Sequence, residues 1–220
     1  MTSPEPPTVI ETVVKAAIKG ATAIPVVGSG LSAAAQVVYD DVCARRAAVA
    51  ARTMSEIVTE SGGEEQLGAR LAADPQLETS FVAAVDAAIR TGHEQKRRLL
   101  VQAVASAVKD DAKVDEAQLL IETLAQLDVP HIRALAELAR LRKRSTGPHY
   151  EEGVYLANLP APIRATLVRV EAARLNPEVG LDGAGGEIES ETTISFEDDD
   201  GITKYGQEIL EALHAMSDER

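Results

Sequence analysis

The chain has 220 residues, of which 45% are apolar and 26% charged, and these proportions exclude an intrinsically disordered chain. Its formal net charge of −13 creates a field that repels nucleic acids and anionic membranes at long range. Only 3% of the residues are aromatic, so we expect Ala, Leu, Val and Ile to fill the core, which favours closely packed helices over a β-sandwich.

The first third of the chain carries two predicted helices. Thr8 and Glu11 have the spacing of a capping box, and the apolar residues behind them recur at helical spacing, which predicts a helix over 9–19. Pro25 and several glycines then interrupt the pattern, and a long helix is predicted over 31–60.

The middle of the chain reads as a series of amphipathic helices. Asp74-Pro75 is an N-cap followed by proline at the first helical position, and Asp115 is expected to cap a later helix. Short connections between these helices make neighbours antiparallel. The sequence therefore predicts an antiparallel helical bundle over 1–145, with further helices at 64–73, 75–91, 93–109, 115–127 and 130–144.

The region 146–220 has a different character, because prolines and glycines punctuate shorter elements. We expect a helix from Ile163 to Leu175, then an acidic ribbon over 187–200 with a strand at Thr192–Phe196, then a turn over 198–201, and a last helix capped by Thr203. The fold class is thus mainly α, with a small C-terminal α+β region that is winged-helix-like.

A glycine-rich motif follows the short apolar run before residue 28. Gly28, Gly30 and Ala33 form a G-x-G-x-x-A pattern that opens a helix, as in dinucleotide-binding turns. Pro25 interrupts the run, however, and no second strand with a ribose-binding carboxylate follows. We therefore interpret the motif as a turn between helices, keep the three residues as weak cofactor-binding candidates, and expect no cofactor.

The same region suggests a membrane alternative, because residues 20–39 contain no charged side chain. Twenty residues are long enough to span a bilayer. Pro25, three glycines and several hydroxyl groups make the run weakly apolar, and small residues equally allow two helices to pack closely. A membrane-acting effector therefore stays open as an alternative function.

Basic residues cluster at the end of the helix predicted over 130–144. Cations there complement the helix macrodipole, but they could also bind a phosphate or an acidic partner. We expect the similar segment 93–98 to be a solvated helix face. The candidate contact residues are Arg133, Arg140, Arg142, Lys143 and Arg144.

A winged-helix regulator that binds DNA is a second alternative, since a ribbon between two helices has that form. Its charge argues against this function. Residues 176–202 contain nine Asp or Glu and no Lys or Arg, so phosphate would repel such a wing. Nucleic acid is therefore a disfavoured partner.

No residues with a recognisable catalytic or metal-binding arrangement stand out. The four histidines lack the spacing of metal ligands, and the single Cys43 has no His nearby. One cysteine fits a reducing compartment, and the first seven residues lack the basic segment of a secretory signal. We therefore expect a cytoplasmic protein without catalytic or metal sites.

A series of helices and short motifs follows one order along the chain: the Phe81 helix, Glu94-x-Lys96, Asp115-x-x-x-Leu119-Leu120, the hinge Leu127-Asp-Val-Pro-His131, the Leu135 helix and Ile202-Thr-Lys-Tyr-Gly206. This order, over residues 77–139 and 202–213, resembles that of abortive-infection alpha-type bacterial proteins. The resemblance implies a role in phage defence and assigns no catalytic residue. We expect a cytoplasmic helical interaction module that binds a protein partner or a second copy of itself.

Overall fold

Helices make up most of the chain that the computed structural model describes, which comprises residues 33–144, 150–175 and 200–218. The prediction of a mainly helical protein is confirmed. The helix predicted over 9–19 lies outside these residues. The first helices are α1 (Ala33–Glu60), α2 (Glu64–Ala73), α3 (Pro75–Arg90), α4 (Glu94–Lys109) and α5 (Val114–Gln126), with a 3-10 turn at Asp111–Lys113.

The remaining described elements are helices and one small sheet. Its two strands are antiparallel and pair Ala173 with Ile202 and Arg174 with Gly201. The elements in order are α6 (Val129–Arg144), α7 (Tyr150–Asn158), α8 (Ala161–Arg169), β1 (Ala173–Arg174), β2 (Gly201–Ile202) and α9 (Lys204–Asp218).

The start of α3 follows directly from its sequence. The Asp74 carboxylate accepts hydrogen bonds from the amides of Gln76 (2.9 Å) and Leu77 (3.1 Å), and Pro75 occupies the first turn, where its missing N–H costs nothing. The helix then buries one face that includes Leu77 and Phe81. The observed bounds lie within one residue of those predicted.

The core of the first part of the chain lies where α3 and α4 pack against each other and against α1. α4 is buried along most of its length, whereas from Val37 onwards the first buried residue of α1 is Ala50, followed by Met54 and Ile57. The C-terminal part of α1 therefore belongs to the core.

The cap expected at Asp115 was placed incorrectly. The Asp110 carboxylate accepts a hydrogen bond from the Ala112 amide (3.1 Å) and caps the 3-10 turn that precedes α5. Asp115 lies inside the first turn of α5, where its carboxylate accepts a hydrogen bond from the Gln76 side chain (2.7 Å). The chain thus begins to coil one short turn earlier than the sequence pattern indicated.

The helix expected over 163–175 is also shorter than predicted. It ends at Arg169, because the amides of Val170, Glu171 and Ala172 bond back to the last turn and Glu171 adopts a positive φ of 56°. The chain then enters β1, whose partner β2 begins at Gly201, a residue we had predicted to lie in a turn. The strand predicted at 192–196 and most of the acidic ribbon lie outside the described residues.

The described residues divide into two units, one that ends at Ala125 and one that begins at Gln126. We had expected a boundary near 145, but α6 packs with α7, β2 and α9 and so belongs to the second unit. No helix in the described ranges is both long and apolar enough to cross a bilayer, and most of the uncharged run 20–39 lies outside those ranges.

Candidate functional site

A cleft of about 240 Å³ lies between α6 and α9 in the second unit. α6 contributes three side chains from its last turns, and α9 contributes four that recur at positions i, i+3, i+4 and i+7, so they share one face of the helix. The lining residues are Ala139, Arg142, Lys143, Gln207, Leu210, Glu211 and His214.

The first turn of α9 is held in place by Thr203, as the sequence predicted. Its hydroxyl accepts a hydrogen bond from the Gly206 amide (3.0 Å) and donates one to the Glu171 carbonyl (2.6 Å). Gly206 lies against the backbone of Ala172, and a Cβ there would stand only 2.1 Å from the Ala172 carbonyl oxygen. α9 therefore begins at a fixed distance from the small sheet.

Arg142 forms one wall of the cleft and is tied to β2. Its Nη1 donates a hydrogen bond to the Ile202 carbonyl (2.7 Å), and its Nε lies 3.9 Å from Oε1 of Glu152. Glu152 is fully buried, and its Oε2 accepts a hydrogen bond from the Ile202 amide (3.0 Å). Because this carboxylate compensates much of its charge, Arg142 acts mainly as a rigid, polar wall.

The floor and rim of the cleft differ in chemistry. The floor is apolar, because Leu210 is buried and Ala139 is half-buried. Lys143, Glu211 and His214 are exposed at the rim. Such a cleft can bury a small apolar group while an ammonium at its edge attracts a carboxylate.

The five predicted contact residues do not form one site. Arg142 and Lys143 line the cleft, whereas Arg133, Arg140 and Arg144 are exposed outside its lining. The Nε of Arg140 donates to Oε2 of Glu137 (2.7 Å), and this hydrogen bond lowers the pKa of the Glu137 carboxyl. Arg140 therefore already has a carboxylate partner on its own helix.

Five cleft residues were not predicted from the sequence, namely Ala139 on α6 and four residues on α9. The buried face of α9 includes Ile209 and Leu213. The adjacent face carries a single large apolar residue among polar ones. The spacing of these residues could have shown from the sequence that they share a face of α9. Only tertiary packing decides that this face lies against α6.

The segment 93–98 contains a second arrangement that we predicted incorrectly. Instead of forming a solvated face, Lys96 and Arg97 are buried. The Arg97 guanidinium donates hydrogen bonds to both carboxylate oxygens of Glu94, at 2.7 and 3.1 Å. It also donates to both carboxylate oxygens of Glu56, and the bond to Oε1 of Glu56 measures 3.1 Å. These contacts join α4 to α1.

The carboxylates around Arg97 respond to its charge. Hydrogen bonding to Arg97 lowers the pKa of Glu94 to about 2. Burial opposes the ionisation of Glu56, but the hydrogen bonds and charges of Arg97 and Arg52 outweigh it, so the pKa of Glu56 is lowered as well. The cluster is therefore ionised at neutral pH, and we assign it a structural role.

The cofactor candidates fall mostly outside the described residues. Gly28 and Gly30 lie there, and Ala33 is the first residue of α1. Within 33–144, 150–175 and 200–218, no group of three or more His, Cys, Asp or Glu side chains could hold a metal ion. Cys43 is half-buried on α1.

A comparison with models of protein families gave no match for this chain. Comparisons with curated proteins and with solved structures gave no match either. We therefore infer the function from the cleft and from the chain's own residues.

Proposed function

We propose that the protein is a non-enzymatic helical interaction module whose α6–α9 cleft binds an acidic segment of a partner protein. The observation that carries the proposal is the combination of an apolar floor at Leu210 with a cationic rim at Lys143. A partner segment with an apolar side chain beside a carboxylate would satisfy both.

The charges at the rim of the cleft determine how strongly it attracts an acidic partner. Arg142 is largely compensated by Glu152, so Lys143 supplies most of the attraction for an anion. Glu211 on the opposite wall limits that attraction. Since rim charges act mainly on association rates and salt dependence, we expect a weak, salt-sensitive interaction.

A direct binding measurement tests this function. The probe is a fluorescein-labelled peptide of alternating Glu and Leu, titrated with the full chain at low salt and followed by fluorescence anisotropy. We expect Lys143→Glu to weaken binding about tenfold, because a like charge at a rim costs on the order of 1.4 kcal/mol.

The matched control is Lys113→Glu, which makes the same charge change at an exposed lysine of the 3-10 turn. It should leave the affinity unchanged. Equal losses in the two variants would mean that net charge alone attracts the peptide, and an unlabelled neutral Gln-Leu peptide that competes equally well would contradict a carboxylate-binding rim.

The proposal includes a role in phage defence, on the strength of the resemblance to abortive-infection proteins. In a bacterial host that expresses the chain, we expect fewer phage plaques than with an empty vector. Lys143→Glu should restore plaque numbers if the cleft carries the activity, whereas Lys113→Glu should not. Unchanged plaque numbers with the wild-type chain across a phage panel would remove this part of the proposal.

A winged-helix regulator remains the second candidate, because β1 and β2 precede α9 and α6 ends in three basic residues. Gel shifts with duplex DNA at low salt test it. Neutralisation of Arg142, Lys143 and Arg144 should abolish the shift, and a shift that is absent or insensitive to these changes would exclude this candidate.

A membrane-acting effector that uses residues 20–39 is the third candidate. Its support is the absence of charged side chains from that run. Leakage of dye from anionic liposomes tests it, and Val26→Asp should abolish leakage. Liposomes that stay intact with the wild-type chain at neutral and acidic pH would exclude it.

A further inference from the structure

One face of α5 exposes an apolar side chain between carboxylates. Leu119 is 63% exposed, and Asp115, Glu116 and Glu122 are exposed three or four residues away from it, on the same side of the helix. The helix buries its opposite side, which includes Ile121. The surface formed by Asp115, Glu116, Leu119 and Glu122, called here the acidic α5 face, is therefore open to a partner.

The surroundings of Asp115 keep this face negatively charged. Its carboxylate accepts a hydrogen bond from the Gln76 side chain (2.7 Å), and because that donor is a neutral amide, the bond holds the carboxylate without cancelling its charge. Asp115 also lines an open depression with Asp74, Asp111 and Arg70, where acidic groups outnumber basic ones. The charge around the start of α5 therefore favours a cationic partner.

The cleft between α6 and α9 has the complementary chemistry. Its floor is apolar at Leu210 and its rim carries the ammonium of Lys143. Leu119 offers an apolar side chain of the kind that this floor can bury, and carboxylates one turn away offer the anion for the rim. Because Leu119 is exposed in the single chain, such a contact forms between copies.

We propose that the acidic α5 face of one copy docks in the α6–α9 cleft of a second copy, with Leu119 against Leu210 and the flanking carboxylates beside Lys143. This inference rests on the proposed function of the cleft and names its partner as a second copy of the same chain. Because the two surfaces differ, the contact is head-to-tail, and copies join into rings or open chains.

Two effects of opposite sign set the strength of this contact. The net charge of −13 makes whole copies repel one another, whereas the burial of Leu119 and the contact of a carboxylate with Lys143 act at short range. At about 0.15 M salt the Debye length is roughly 8 Å, so the long-range repulsion is screened while apolar burial is retained. We therefore expect weak association that is measurable at this ionic strength.

Sedimentation velocity of the full chain tests the docking over a roughly hundredfold range of concentration, because association follows mass action. Leu119→Lys disables the acidic α5 face, and Lys143→Glu reverses the cationic rim of the cleft. We expect the wild-type mass to rise above the 23.3 kDa of one chain as concentration increases. Each variant alone should associate at least about tenfold more weakly.

A mixture of the two variants tests whether the contact is head-to-tail. The Lys143→Glu chain keeps its acidic α5 face and the Leu119→Lys chain keeps its cleft, so an equimolar mixture should form a heterodimer of two chains and grow no further. Val82→Lys makes the same charge change at a residue of α3 that is 43% exposed, and it should associate as the wild-type chain does.

Three results would overturn the inference: a wild-type chain that stays monomeric over the whole range, a mixture that forms no heterodimer, or an equal loss of association in Val82→Lys. The labelled Glu-Leu peptide separates this failure from failure of the proposed function. Peptide binding by a wild-type chain that does not associate would overturn the second copy as partner and leave the cleft as a binding site. Absence of both peptide binding and association would contradict the proposed function as well.

Discussion

Arg97 carries a guanidinium into the core of the first unit, where its side chain is only 5% exposed. The cost of removing this charge from water is offset by Glu56 and Glu94, which supply carboxylate oxygens to its N–H groups. Glu56 lies 41 residues away in the sequence. The cluster therefore joins α1 to α4 only when both helices are in place.

Truncation of Arg97 should be costly. We expect Arg97→Ala to lower the free energy of unfolding by about 2 kcal/mol, less than the roughly 3–5 kcal/mol of a fully buried pair, because each carboxylate is about one-third exposed. Urea denaturation followed by circular dichroism measures the change. Arg45→Ala breaks an exposed ion pair with Asp41 and should cost less than about 0.5 kcal/mol, so equal losses would contradict the special role of burial.

The low pKa of Glu94 makes part of this stability depend on pH. Because the folded pKa of about 2 lies below the ordinary 4.5, the unfolded chain binds more protons between these values, so this stability is lost as the pH falls through the window. We expect Glu94→Gln to be less stable than wild type above about pH 5, with the difference shrinking towards pH 2.

Urea midpoints measured between pH 2.5 and 7 test this expectation. Glu60→Gln, at an exposed position at the end of α1, serves as control for the loss of one carboxylate and should change the free energy of unfolding at pH 7 by less than about 0.5 kcal/mol. A stability difference for Glu94→Gln that stays constant across the range would contradict the ion-pair account.

At the scale of elements, the junction between β2 and α7 depends on a glycine. Gly201 has a φ of 127°, and a Cβ at this position would lie 2.1 Å from Oε2 of the buried Glu152. The same oxygen accepts the amide hydrogen of Ile202. A side chain at 201 would therefore strain the backbone and displace the carboxylate that holds both Arg142 and β2.

We expect Gly201→Ala to lower the free energy of unfolding by about 2 kcal/mol or more, from backbone strain and the displaced carboxylate. Gly92→Ala is the control, because Gly92 has open space around it and no positive φ, and it should leave stability unchanged or raise it by less than about 1 kcal/mol. Thermal unfolding of both variants, compared with wild type, measures these two changes in stability. A Gly201→Ala variant as stable as wild type would mean that Glu152 can move away freely.

The same elements set the limit of sequence-based prediction. Asp74-Pro75 identified the start of α3 within one residue, because a cap and a proline act through hydrogen bonds to the next few amides. The sheet was not found, since two-residue strands have no periodicity of their own. Its pairing of Ala173 with Ile202 joins positions far apart in the sequence.

At the scale of the whole molecule, we expect the net charge to control association between copies of the protein. The net charge of −13 at pH 7 falls to zero near pH 4.8, where mutual repulsion between molecules is lost. We expect a solubility minimum within about half a pH unit of this value, measured as turbidity in a pH series. A minimum near neutral pH would mean that an apolar surface, and not net charge, controls association.

Periodicity, caps and composition by themselves determined that this chain is mainly helical and acidic, and where most of its described helices begin and end, because those properties depend on interactions within a few residues. Tertiary structure alone decided that Arg97 is buried while Arg140 is not, and that Lys143 faces Leu210 across a cleft. Residues of the same type on similar helices differ in burial, because the groups that compensate a charge or cover an apolar face come from distant parts of the chain.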